Sequence, residues 1–317
     1  MLEYSLGDFM KIGIPRAFLY YKYHYLWESF FENLGLEYII SPYTNKDIMK
    51  NGISYAIDES CLSSKIYLGH VEYLIDKCDY ILVPRVFGYG EDGTVCTKFQ
   101  AIYDVVNNTF RDRNIKILYY NINPKEPINE FRAFLKMGKF LGLKKTSITR
   151  AYLLAKHAEK THQILDIQAQ EKLFEKNNIK ILIVGHQYNI SDRFIGETTI
   201  SYLKGIDVIP IIADLCDKKE AMEESKKISE TLPWAFNKEL VGAISLYKEK
   251  VDGIILMSSF PCGPDSLVNE MIIRRIKDKP ILNLLLDGQE GKAGIETRLE
   301  SFIDIIKIKK DDKNGKM

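Results

Sequence analysis

Five cysteines, Cys61, Cys78, Cys96, Cys216 and Cys262, are the side chains best suited to chemistry beyond packing. Their number is odd, their spacings are wide and no C-x-x-C pattern occurs, so neither a disulfide framework nor a local zinc motif is encoded. A metal held by these thiols has to be assembled by the fold from distant stretches. Cys262 is the most constrained of the five. It lies in "SSFPCGPDSL" (258–267), between a run that reads as a strand and a segment that reads as a helix. Pro264 suits the first helical turn, where its missing N–H is no loss, and Gly263 lets backbone approach something bulky. Cys61, in "DESCLSSK", opens another helix. Unbonded N–H groups and the helix dipole favour a thiolate at such a place. Thiolates ringed by N–H donors suit an iron–sulfur cluster, and zinc also accepts them. The bland alternative for any one loop cysteine is a small apolar packing group.

Other candidates are weaker. Asp58 and Glu59 precede Cys61, either as helix caps or as acid–base groups. His186, in "VGHQYN", is either a ligand or proton donor, or a hydrogen-bonded structural histidine. His24 and His70 read as structural, and His157 and His162 as solvated on a charged helix. Arg16, in "GIPRAFLYY", is either an anion-binding group at a helix start or a surface residue. Neither a G-x-G-x-x-G fingerprint nor a P-loop is present. The Gly-punctuated "DGQEGKAGIETRLESF" (287–302) reads as a loop entering a terminal helix.

These residues have to be positioned by alternating strands and helices. Strands are predicted at 11–15, 36–41, 80–84, 116–122, 179–186, 206–211, 251–258 and 279–287. Helices are predicted at 17–35, 59–77 and 191–204, and "GISYAI" (52–57) is expected to be a short strand or turn. Near-continuous apolar strands alternating with helices predict an α/β protein of two doubly wound, mostly parallel-sheet, Rossmann-like domains. The expected boundaries are 10–126 for the N-terminal domain, 127–177 for a charged helical connector and 178–317 for the C-terminal domain. In such sheets ligands bind beyond the carboxyl ends of the strands. That edge is where Cys61, Cys96 and Cys262 are expected, meeting in the cleft between the domains. Cys78, just before a strand, belongs at the opposite edge, and Cys216 stays open as a ligand.

Composition narrows the function class. Apolar residues are 46% and charged residues 27%, as in a soluble globular chain, and a net charge of +1 offers no field for nucleic acid or membrane. The acidic start "MLEYSLGDFM" lacks the basic, apolar pattern of a signal peptide, and no run is long and apolar enough to span a bilayer. A cytoplasmic protein is expected. The tail "KIKKDDKNGKM" is expected to be a frayed end.

Seven stretches occur in an order that carries a resemblance: "IGIPRAFLYYKYHYLW", "DESCLSSKIYLGHVEYL", "YILVPRV", "CTKF", "VGHQYNISD", "VDGIILMSSFPCGPDSLVNE" and "LDGQEGKAGIETRLESFID". Over residues 10–305 the chain closely resembles the acyl-CoA dehydratase activase-related proteins, relatives of the 2-hydroxyacyl-CoA dehydratase subunits. The resemblance implies an oxygen-sensitive [4Fe-4S] or related cluster protein of anaerobes. It implies Cys61, Cys96 and Cys262 as ligands. It further implies an ATP-dependent activase of the sugar kinase/Hsp70/actin type as the partner that injects a low-potential electron. Near residue 290 the family reads Asp-Glu-His where this chain has "LDGQEG", so a histidine is missing. The expected function is electron acceptance for reductive or radical dehydration-type chemistry, as a dehydratase-like lyase or a low-potential reductase, in a homo- or hetero-oligomer. The alternative is a non-redox two-domain module that binds a small molecule or a partner and uses its cysteines for packing.

Overall fold

A computed structural model describes residues 10–89, 93–124, 129–288 and 292–314. The first nine residues, the middle of the "VFGYGEDGTVC" loop and most of the "GQEG" stretch therefore lie outside the described residues. The chain divides into two compact units, Met1–Leu165 with Pro233–Ala235 and Asp166–Leu232 with Phe236–Met317.

The first unit contains β1 (Lys11–Ile14), α1 (Tyr20–Asn33), β2 (Glu37–Ile40), α2 (Lys46–Tyr55), α3 (Leu62–Leu74), β3 (Tyr80–Val86), α4 (Thr97–Thr109), β4 (Ile117–Ile122), α5 (Glu130–Phe140) and most of α6 (Lys145–Glu171). Its strands form one sheet in the order β2-β1-β3-β4, and every pairing is parallel. The second unit contains β5 (Lys180–Val184), α7 (Gln187–Ile190), α8 (Glu197–Gly205), β6 (Ile209–Ile212), α9 (Lys218–Glu224), α10 (Ala235–Tyr247), β7 (Gly253–Ser259), α11 (Gly263–Arg275), β8 (Ile281–Leu286) and α12 (Lys292–Asn314). Its sheet runs β6-β5-β7-β8 and is again all parallel. The expected doubly wound α/β class is what the chain adopts, twice. The central strands explain why: Ile181–Val184 and Ile254–Met257 are buried throughout, as strands covered on both faces must be. The helical stretch at 127–177 supplies α5 and α6, and the division between the units falls inside α6.

Three local readings differ from the structure. "GISYAI" is not a strand or turn: residues 52–55 are the last turn of α2. Its helix is started by Asn45, whose side chain accepts from the backbone N–H of Asp47 and Ile48 at 3.0 Å each. The helix expected over 191–204 begins only at Glu197, as α8, because Asp192 turns the chain ahead of it by accepting from Phe194 N at 2.8 Å. The tail is helical to Asn314, with Leu299, Phe302, Ile303 and Ile306 of α12 buried.

Two features of the first unit hold α3, the helix that Cys61 opens. Helices α2 and α3 meet at Gly52 and Gly69. A Cβ on Gly52 would stand 2.0 Å from Lys65 O, and one on Gly69 would stand 2.0 Å from Ile48 O. Backbones this close admit no side chain between them. Deeper in, the His70 ring on α3 is bonded at Nδ1 to Ser41 Oγ, 2.8 Å, and at Nε2 to Thr44 Oγ1, 2.9 Å. Ser41 Oγ also accepts from Arg16 N at 2.8 Å. The chain Arg16–Ser41–His70–Thr44 thus ties α3 to the segments that leave β1 and β2. Burial, helped by the nearby Arg16 charge, pushes the His70 pKa down to about 3.

Gly69→Ala is expected to destabilise the protein by about 1–3 kcal/mol, because the clash is with backbone that cannot rotate away. Gly205→Ala, at the end of α8 with nothing within 4 Å of the added Cβ, is expected to be neutral or to gain up to about 1 kcal/mol. Paired urea unfolding curves check both. His70 stays neutral in the folded state but takes up a proton on unfolding once pH drops below about 6.5. Its contribution is therefore intact above that pH and falls away as pH decreases toward the folded value of about 3. Between pH 7 and pH 5, His70→Gln is expected to lose about 2 kcal/mol less unfolding free energy than the parent chain.

Candidate functional site

A parallel sheet ordered 2-1-3-4 leaves a crevice beyond the carboxyl ends of its first and third strands, where the winding reverses. In the first unit these are β1 and β3, followed by Arg16 and by the loop to Cys96. In the second they are β5 and β7, followed by His186 and Cys262.

Cys61, Cys96 and Cys262 occupy one kind of position. Each is the N-cap residue of a helix, of α3, α4 and α11 respectively. Their backbones are extended, with ψ of 150°, 141° and 108°, and none of the thiols makes a capping hydrogen bond. All three are half-buried, and none of the five cysteines is in a disulfide. The other two are different. Cys78 lies at the entry to β3, the opposite edge, bonds the Leu74 carbonyl at 3.4 Å, and burial pushes its thiol up to about 11. Cys216 is buried in the core at 2% exposure. Among the described residues no group of three or more His, Cys, Asp or Glu is close enough to hold a metal ion. Cys61 and Cys96 belong to the first unit and Cys262 to the second.

Within the first unit the starts of α3 and α4 are joined. Lys98 Nζ, two residues past Cys96, donates to Ser60 Oγ, one residue before Cys61, at 3.1 Å. Phe18, in the left-handed region at φ 49°, packs its ring against Tyr67 of α3 (5.3 Å) and Phe99 of α4 (5.0 Å). The starts of the two helices are thus joined by a lysine–serine bond and by an aromatic wedge. Asp58 and Glu59 are exposed, and the cap position expected of them is held by Cys61. Arg16 donates Nε to Ser41 O at 3.0 Å and stacks on Tyr43 at 4.3 Å. It serves the local frame.

In the second unit the turn that presents Cys262 is short. Phe260 N bonds Leu286 O at 2.9 Å, Cys262 N bonds Ser259 O at 2.8 Å, and Ser266 N and Oγ both bond Cys262 O, at 3.0 and 2.7 Å. Pro264 is in the first turn of α11 as its lack of an N–H predicts. At Gly263 a Cβ would meet nothing within 4 Å. The glycine is not demanded by packing.

His186 is 8% exposed, caps α7, and its Nε2 lies 3.0 Å from Asp265 Oδ1. Gly185 before it is required, since a Cβ there would stand 2.6 Å from Met257 O. Asn237 Nδ2 donates to the same Asp265 Oδ1 at 2.9 Å. Burial pushes the Asp265 carboxyl up. The His186 ring and hydrogen bonds from His186, Asn237 and Cys262 outweigh it and hold the carboxyl below the usual range. Ser259 Oγ donates to Asn189 Oδ1 at 2.6 Å and fastens α7 to β7. Asp265, Asn237 and Lys98 are the residues that sequence reading missed. Asp265 is hidden because an acid in a first helical turn is ordinary. Asn237 comes from α10, for which no spacing signals a link to Cys262.

His70 is structural, as expected. His162 is exposed but not merely solvated, since its ring stacks on Tyr25 at 4.1 Å. No helix of the described residues is long and apolar enough to cross a membrane.

Cys61, Cys96 and Cys262 each sit at a helix start, where backbone N–H groups lack intrahelical acceptors.

A comparison with curated proteins gives no match. Three solved structures are similar at low identity. A single-site mutant of a Mn-bound periplasmic metal binding protein from Candidatus Liberibacter asiaticus is 11% identical, covering 94% of this chain and 99% of that one, at a TM-score of 0.28. Zn(II)-bound AdcA from Streptococcus pneumoniae is 9% identical over 92% of this chain and 56% of that one, TM-score 0.25. The C-terminal domain of glucosamine-fructose-6-phosphate aminotransferase from Francisella tularensis is 10% identical over 95% and 86%, TM-score 0.23. At these scores none of them bears on function. The family comparison does: the model described as "CoA enzyme activase uncharacterised domain (DUF2229)" matches residues 11–216, well over half of the chain, so this protein belongs to that activase-related family.

Proposed function

We propose that the protein is an iron–sulfur redox protein in which Cys61, Cys96 and Cys262 hold a [4Fe-4S] or related cluster. It accepts a low-potential electron from an ATP-dependent activase and uses it in reductive or radical dehydration-type chemistry. One observation carries the reading. Asn45, Asn129 and Asp217 each start a helix and bond its N–H groups through their side chains. Three other helices start instead with cysteines whose thiols do not cap. Cysteine is a poor cap, and a thiol at a helix start is where a thiolate is favoured. Family membership supports the activase link.

When bound, such a cluster supplies one-electron storage and, with three thiol ligands, an iron open to a substrate oxygen. The chain's own residues supply the rest. The first turns of α3, α4 and α11 direct N–H groups and a positive dipole end at the sulfurs. Lys98, bonded to Ser60, adds a cation where the starts of α3 and α4 are joined. His186, oriented through Nε2 by Asp265, is the first acid–base candidate. Glu59, exposed ahead of Cys61, is the second acid–base candidate.

Anaerobic reconstitution is expected to give a brown protein with about four irons per chain, bleached by dithionite. Cys61→Ala, Cys96→Ala and Cys262→Ala are each expected to lose most of the iron, whereas Cys78→Ala and Cys216→Ala keep it. A colourless protein, or iron retained by all three of the first variants, overturns the proposal in favour of a non-redox binding module.

A further inference from the structure

Between α9 and α10 the chain leaves the second unit for three residues. Pro233–Ala235 belong to the first unit, whereas Leu232 before them and Phe236 after them belong to the second. A connection between consecutive helices of one unit ordinarily runs over that unit's own surface. This one crosses and returns, and in the first unit it is fastened by backbone. Thr94 N donates to Pro233 O at 3.1 Å and Ala235 N donates to Thr94 O at 2.8 Å, so Trp234 pairs with Thr94 as a short parallel bridge. Thr94 lies two residues ahead of Cys96. Its Oγ1 donates to Phe87 O at 3.1 Å and accepts from Gln100 Nε2 at 2.9 Å, and Gln100 Nε2 also donates to Val95 O at 2.9 Å. The strap then runs straight into α10, which starts at Ala235. Asn237, two residues on, donates to Asp265 Oδ1 at 2.9 Å, the oxygen that lies 3.0 Å from His186 Nε2. Phe236 between them sets its ring edge-on to the His186 ring, with centroids 6.4 Å apart.

We propose that Pro233–Ala235 is a releasable clasp that couples the stretch entering Cys96 to the His186–Asp265 pair, with Gln100 and Asn237 as the positioning residues at its two ends. The inference goes beyond the cluster reading and does not need it, since hydrogen bonds of the chain alone carry it. The clasp has two states. When closed, Thr94 holds both strap bonds; when open, it holds neither. Two backbone bonds at an exposed residue form a weak fastening, and openings of this kind cost far less than global unfolding. Transmission is short and stiff. Ala235 and Asn237 share the first turn of one helix, whose backbone dihedrals are fixed together, so Ala235 cannot move without Asn237. Asp265 Oδ1 is buried and divides its accepting capacity between Asn237 and His186. Moving one donor therefore changes the bond to the other, and a buried polar set answers strongly to such a change. By linkage the effect runs both ways: disturbing the pair loosens Thr94, and loosening Thr94 disturbs the pair.

The test perturbs each end of the full chain and reads the other. The chain has five histidines, so labelling their Cε1 positions with carbon-13 gives five signals, and His186→Gln assigns the one that matters. Gln100→Ala frees Thr94 and Val95 from their side-chain tie. It is expected to raise exchange of the Ala235 amide hydrogen at least about fivefold and to shift the His186 signal, while the signal of His70, in the core of the first unit, stays in place. Asn237→Ala, made in the second unit, is expected to raise exchange of the Thr94 amide hydrogen by a similar factor. A merely structural role for either residue moves its own surroundings and leaves the distant readout alone. An unmoved His186 signal in Gln100→Ala overturns the inference, and so does unchanged Thr94 exchange in a folded Asn237→Ala, because a coupling that runs one way is no coupling. Should Asn237→Ala fail to fold by circular dichroism, Gln100→Ala decides alone. Iron binding is not among these readouts, so failure here leaves the cluster reading standing, and failure of the cluster reading leaves this test intact.

Discussion

A parallel strand can be rejoined to its neighbour only by a crossover, and crossovers leaving in opposite directions cannot cover the point where they part. Both units of this protein are four-stranded sheets with that single reversal, at β1/β3 and at β5/β7. The rest of the chemistry follows from it. The crevice collects chain segments leaving strands and entering helices. It therefore gathers residues with extended backbone, half-buried side chains and helix N-termini at their backs. Cys96 and Cys262 reach this edge directly after β3 and β7. Cys61 reaches it by a second route, because α3 runs back toward β3 and so starts at the same edge.

The two units equip this edge differently. In the first, packing does most of the positioning: the Gly52–Gly69 contact, the buried His70 with its two hydroxyl partners, and Phe18 between Tyr67 and Phe99. A lysine–serine bond joins the helix starts there. In the second unit a hydrogen-bonded set, His186, Asp265 and Asn237, surrounds the start of α11, and its charge is a carboxylate. A buried polar set of this kind specifies geometry closely, since any misplacement leaves a desolvated group unpaired.

Much of the architecture was legible in the chain. Eight apolar, β-branched runs became eight parallel strands with boundaries moved by a few residues, because burial on both faces of a parallel sheet leaves its mark on nearly every position. Pro264 as an early-helix residue was legible for the same local reason. The misreadings are also physical. "GISYAI", expected to be a short strand or turn, is instead the end of a helix that Asn45 starts and that packs tightly on α3. The break between α7 and α8 depends on Asp192 and on Gly196, where a Cβ would stand 1.9 Å from Asn189 O, and hydrophobic periodicity records neither.

By itself the sequence determined the strand–helix alternation, the ordered motifs that mark the family, and which cysteines follow strands or open helices. All three are local properties, written in neighbouring residues. Only the tertiary structure decided that Cys61, Cys96 and Cys262 share one backbone role while Cys78 and Cys216 do not. It alone joined Lys98 to Ser60 across 38 residues and His186 to Asp265 across 79. Those contacts depend on strand order and helix packing, and a side chain's partner across such a gap in sequence leaves no trace in the residues next to it.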